Sequence, residues 1–236
     1  MGSRLVHTPH HQPMVDIVFG SQQDEIVADF LHAWTSRGAA HNPPASLVMC
    51  AKHLVDLPNP SSSPRLRRLV VRSVGLIGHK GFEKAGVENF VGLLNRLCVS
   101  VDDVGLGSRS KWTGLLLGVI ESPEGRDYLS YSYWELLLEL GSSYHGVPIG
   151  LVHYDSRVMI SLQATREWDK LACWICVVWL EWSLYLDVLS RDLEHAMLSL
   201  FRQRPDSIQK LEEWGRTRDT IYRRLSSGFA IKGTSK

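Results

Sequence analysis

Apolar residues recur along this chain at spacings of three and four, and glycine, proline or a capping Ser, Asn or Asp interrupts them at short intervals. From Gln22 to Arg37 the stripe Ile26, Val27, Phe30, Leu31 and Trp34 predicts a helix that Ser21 opens and Gly38 closes. Asn42 and Pro43 then read as an N-cap with a first-turn proline, where no helical amide hydrogen is needed. That helix runs over about 44–56 with Leu47, Ala51, Leu54 and Val55 inward, and Pro58 stops it. After the connector LPNPSSSP, Ser63 and Pro64 repeat the start signal for a helix over 65–77, whose stripe is Leu66, Leu69, Val70, Val74 and Ile77. Gly78 and Gly81 are expected to break the chain before a helix over 82–98, and residues 100–109 read as a loop. Helices are further expected over 111–121, 123–129, 133–142 and 156–166. A long apolar helix runs from about 167 to a break near Leu189, another covers 191–203, and a last one covers 207–225 behind Asp206 and Gln209 at capping-box spacing. Residues 145–154 are the one segment with strand character and are read as a loop.

The predicted class is therefore all-α. Helix starts near residues 22, 64, 110, 156 and 191 imply pairs recurring about every forty residues, the period of armadillo- or HEAT-like stacks. The period is not accompanied by a repeated residue consensus, so an irregular multi-helix bundle is the rival arrangement. The expected organisation is a flexible N-terminal tail over 1–20, one helical domain over 21–227 and a flexible C-terminal tail over 228–236.

Composition changes the picture little. Hydrophobic residues at 44% and charged residues at 22% describe an ordinary globular chain rather than a disordered one. A formal net charge of +1 supplies no global field toward nucleic acid or anionic lipid. The distribution of charge is more informative. Residues 64–84 carry six Lys or Arg against one Glu, and 200–236 carry nine against four, whereas 121–169 carries eight acids against three Arg. Basic helix faces at Arg65, Arg68 and Arg72, and at Arg216, Arg223 and Arg224, point to a protein partner of acidic character. Nucleic-acid binding ranks behind it, because its readers add a domain-wide positive charge or stacking aromatics, and only Tyr222 lies near either face. No apolar leader opens the chain, and cysteines at 50, 98, 173 and 176 are too few and irregular for a disulfide framework. An intracellular, cytoplasmic setting is the expectation.

Residues 168–186, WDKLACWICVVWLEWSLYL, hold four of the eight tryptophans and two of the four cysteines. Zinc at Cys173 and Cys176 would need two further ligands at suitable spacing, and no second CxxC or HxxxH is present. A redox dithiol belongs at an exposed helix start after a strand, whereas this pair lies inside an apolar helix. A membrane span is opposed by Glu181 at the centre of the run and Asp187 near its end. The buried centre of a helical domain is the preferred reading.

The other candidates carry weaker signals. His7, His10 and His11 sit among prolines in the expected tail. Tyr144, His145, His153 and Tyr154 form the best polar cluster on an irregular segment and mark a lesser candidate pocket for a small molecule or substrate, with Asp155 explained as a helix cap. His53 and His79 have no nucleophile in motif with them, and GLGSRSK at 105–111 lacks the ending of a phosphate loop. No catalytic residue, metal ligand or cofactor follows from these patterns, so an interaction or scaffold module is the leading functional expectation.

Several phrases together resemble a lineage-expanded family of uncharacterised helical proteins from mushroom-forming fungi. They are DFLHAW at 29–34, CAKHLVDL at 50–57, WTGLLLGVIESPEGRDYLS at 112–130, YWELLLEL at 133–140, REWDKLACWICVVW at 166–179 and LEHAMLSLFRQRPDSIQKLEEW at 193–214. The resemblance covers about residues 20–215 and implies a helical domain, with no activity and no functional residues to carry over.

Overall fold

The computed structural model describes residues 11–21, 23–36, 44–142, 156–185 and 191–204. Among them are eleven α-helices and no strand: the chain is all-α. In order these are α1 (His11–Gly20), α2 (Asp24–Ser36), α3 (Pro44–Val55), α4 (Pro64–Glu83), α5 (Val87–Leu97), α6 (Arg109–Glu121), α7 (Pro123–Tyr128), α8 (Tyr131–Ser142), α9 (Ser156–Ala164), α10 (Trp168–Tyr185) and α11 (Arg191–Gln203). Where the sequence predicts one domain, the contacts of the described elements resolve into two compact units. The first contains α1–α5 and Asp127–Leu129; the second contains the described elements of 100–126 and from Ser130 onward.

The local sequence accounts for most boundaries. Ser63 is extended, accepts a hydrogen bond at its Oγ from the Leu66 N–H at 3.0 Å, and stands before Pro64 at the first turn of α4. At the other end of the chain's helices, α9 stops where Arg166 turns left-handed, with its N–H on Gln163 O and the Glu167 N–H on Leu162 O. That bond pair is a Schellman closure, here made with a non-glycine residue.

Two boundaries differ from the sequence expectation. Gly78 does interrupt the helix, but as a kink: its φ of 67° and ψ of 174° suit only glycine, and the helix resumes to Glu83. The next helix consequently begins at Val87 rather than at residue 82. The segment expected as a tail through residue 20 contains α1, because Val15 and Phe19, four residues apart, bury themselves against the first unit. Pro13 is tolerated there because it falls in the first turn. His11 lies in this helix, whereas His7 and His10 lie outside the described residues.

In the first unit α1 packs on α2 and α3, α4 packs on α2, α3 and α5, and α5 also packs on α3. In the second, α8 packs on α6 and α10, while α9, α10 and α11 pack on one another. Within each unit every substantial helix–helix contact joins helices one or two places apart in the chain. Helix α10 therefore meets neighbours on several sides, and each side chain from Leu171 to Val178 is at most 6% exposed. Leu171–Val178, with Trp174 and both cysteines, belong to the core of the second unit. Among the described residues no helix is long and apolar enough to cross a membrane.

Close approach also shapes the α6–α7 corner. Ser122 Oγ accepts from the Gly125 N–H at 3.0 Å, and a Cβ on Gly125 would lie 2.0 Å from the Val119 carbonyl oxygen. Only glycine fits that position.

Candidate functional site

In its first two turns α4 is buried on the sides that meet α2, α3 and α5, leaving one narrow outward stripe. Arg65, Arg68 and Arg72 occupy it at helical spacing, all three exposed. The sequence thus places these three arginines together correctly, but the structure gives them different roles.

The Arg65 guanidinium pairs with Glu25 and Asp29, which lie one turn apart on α2. The hydrogen bond to Asp29, and then that to Glu25, hold its pKa above the ordinary arginine value. The two carboxylate side chains nevertheless stay 72% and 70% exposed, open to a further contact. Arg67, on a neighbouring face, donates to Leu97 O at 3.3 Å and Cys98 O at 3.1 Å, where the C-terminal carbonyls of α5 lack helical partners. Arg96 does the same for α3 through Val55 O at 2.8 Å and Leu57 O at 3.3 Å. Arg68 donates only to Pro64 O of its own helix at 3.2 Å, and Arg72 carries no ion pair among the described residues. Arg65 and Arg67 are therefore committed within the fold, and Arg68 and Arg72 are the open arginines of the stripe.

Sequence reasoning missed the acidic half of this surface. Asp24, Glu25 and Asp29 are exposed on α2, and the last two meet the arginine stripe at Arg65. Their signal was present as acids four residues apart, Glu25 and Asp29, about forty residues before the arginine they meet. Arg216, Arg223 and Arg224 lie outside the described residues, as do Tyr144, His145, His153 and Tyr154.

No protein-family model matches the chain, and comparison with curated proteins and with solved structures finds no similar one. The functional reading rests on the surface and the core themselves.

The remaining chemistry-bearing residues are drawn into packing. His53 bonds to Asp16 at 2.8 Å and stacks on Phe19 with ring centroids 5.0 Å apart, joining α3 to α1. His79 follows the Gly78 kink with a buried, unpartnered Nε2. Cys173 and Cys176 are buried in α10, and the Tyr131 hydroxyl contacts Cys173 Sγ at 3.6 Å. Burial, and next the Cys173 thiol, push the Tyr131 phenol well above its usual range, so it stays protonated at neutral pH. Trp134 and Trp174 meet edge to face at 6.3 Å, with both indole N–H groups buried and without acceptors among the described residues. Burial likewise pushes the Cys50 thiol up to about 12, far from the range of a reactive thiolate. Among the described residues no group of three or more His, Cys, Asp or Glu side chains is placed to hold a metal ion.

Proposed function

We propose that this chain is a protein-interaction module, built as an armadillo- or HEAT-like stack of helix pairs, whose α2/α4 surface receives a protein partner. Among the described residues the substantial contacts within each unit join helices one or two places apart, which supports the stack, since in such an arrangement each pair touches mainly its neighbours. The observation that carries the partner reading is the open pair Arg68 and Arg72, four residues apart on the exposed stripe of α4. The partner presents carboxylates to them. Phosphate backbone is a poorer fit, because two open arginines allow a salt slope of only about 2, against the larger slopes of proteins that neutralise six to ten phosphates.

The test compares wild type with R68E/R72E as bait in extracts of the native cell, and then in titrations with the partner so identified. A partner held by wild type and lost from the folded variant is the expected result. Equal retention by both would remove this surface from the reading. Binding that tracks nucleic acid and disappears on nuclease treatment would replace the protein reading outright.

A further inference from the structure

The order of charges on the α2/α4 surface bears on what the partner is, an inference that rests on the partner-binding reading above. The ion pairs of Arg65 hold the first turns of α2 and α4 side by side. At that end Glu25 and Asp29 share one guanidinium and Asp24 stands exposed on the same first turn of α2, three carboxylates to one cation, so the end is net negative. The exposed stripe of α4 then continues away through Arg68 and Arg72, about 4.5 and 10.5 Å beyond Arg65 at a rise of 1.5 Å per residue. The outward residues on the later turns of α2 are His32, Ala33 and Ser36, which offer no carboxylate to those arginines. One continuous face thus passes from net negative to net positive over about two turns of helix.

A uniformly acidic partner would match Arg68 and Arg72 but be repelled by Asp24, Glu25 and Asp29, and like charges brought together oppose docking. A surface of this kind is complementary to itself. Turning a second copy by half a revolution about an axis in the plane of the face, perpendicular to the line from its acidic to its basic end, brings the two faces together and lays each acidic end on the other's basic end, the reciprocal matching of a two-fold contact. We infer that the α2/α4 surface is a dimer contact between two copies of this chain, with Asp24 and Asp29 of each facing Arg68 and Arg72 of the other. Glu25 and Asp29 remain open enough to serve Arg65 within the copy and the arginines across the axis. Charge pairs exposed at such a face are screened by salt, so the association is salt-sensitive.

Sedimentation velocity of the full chain, from about 1 to 100 µM at low and at high salt, tests this directly. The expected result is a dimer at low salt whose dissociation constant rises about tenfold or more at high salt. R68E/R72E and D24K/D29K should each sediment as monomers, and an equimolar mixture of the two should recover the dimer. Monomer at every concentration of wild type overturns the inference, as does a dimer indifferent to salt and to R68E/R72E. The same samples are titrated with a helical peptide carrying two glutamates four residues apart. Monomeric wild type that binds this peptide through Arg68 and Arg72 overturns self-association alone. Monomeric wild type that does not bind it overturns the partner-binding reading as well.

Discussion

Replacing Trp174 by alanine tests whether α10 is the core of the second unit. The side chain is 0% exposed and its ring meets Trp134 edge to face. A buried tryptophan covers roughly 150–250 Å², so its truncation forfeits about 4–6 kcal/mol at about 25 cal/mol per Å². Its indole N–H has no acceptor, and deleting an unsatisfied buried donor returns about 1–3 kcal/mol. The net expectation is a loss of about 3 kcal/mol, at the lower end of the roughly 3–5 kcal/mol of large aromatic truncations. Trp174→Phe separates the two contributions, because it keeps much of the ring while removing the same orphaned donor. That variant should stay within about 1.5 kcal/mol of wild type. Urea unfolding followed by far-ultraviolet circular dichroism reads both, as a shift in midpoint at constant slope. A loss below about 1 kcal/mol for Trp174→Ala would refute the core assignment. Equal losses for the two variants would refute the argument from the orphaned N–H.

Further outcomes follow from the packing at single residues. Gly125→Ala drives a Cβ onto the Val119 carbonyl oxygen and should cost about 3 kcal/mol, the upper end of overpacking, since that oxygen belongs to the backbone of α6. Gly114→Ala, on the open side of the same helix, should gain about 0.5–1 kcal/mol; thermal melts that reverse this order would contradict the geometry. A chromogenic disulfide reagent should find one fast thiol in the native chain, exposed Cys98, and reach Cys50, Cys173 and Cys176 only on unfolding. Rapid reaction of a second thiol would show that α3 or α10 opens. Burial raises Cys50 from 9.0 to about 12, so the unfolded chain releases that proton first as pH rises. The group's contribution is intact below its unfolded value and falls by about 1.4 kcal/mol per pH unit between the two values. Denaturation between pH 8 and 11 should therefore show a slope that Cys50→Ala reduces, and an unchanged slope would refute the assignment.

Helix positions were legible because their causes are local. Ser63–Pro64 and the stripe Leu66 to Ile77 each act through residues within a turn or two, and the structure starts α4 where they predict. The errors arose where a local signal admitted two outcomes. Gly78 reads equally as a terminator or a kink, and burial of Ile77 and Phe82 on either side decided for the kink. The proline-flanked segment before Gly20 reads as a tail until Val15 and Phe19 find a surface to bury against.

Side-chain partnership across helices was not legible in the same way. The sequence determined by itself that the chain is all-α, that Leu171–Val178 is too apolar for the surface of a globular protein, and that Arg65, Arg68 and Arg72 share a face. Each follows from a period or a composition within one segment. Only the tertiary structure decided that Arg65 is held by Glu25 and Asp29, that Arg67 and Arg96 close the ends of other helices, and that Arg68 and Arg72 stay open. An arginine stripe looks the same in sequence whether its charges face water, carbonyls or carboxylates, because what neutralises them is brought up by another helix about forty residues away.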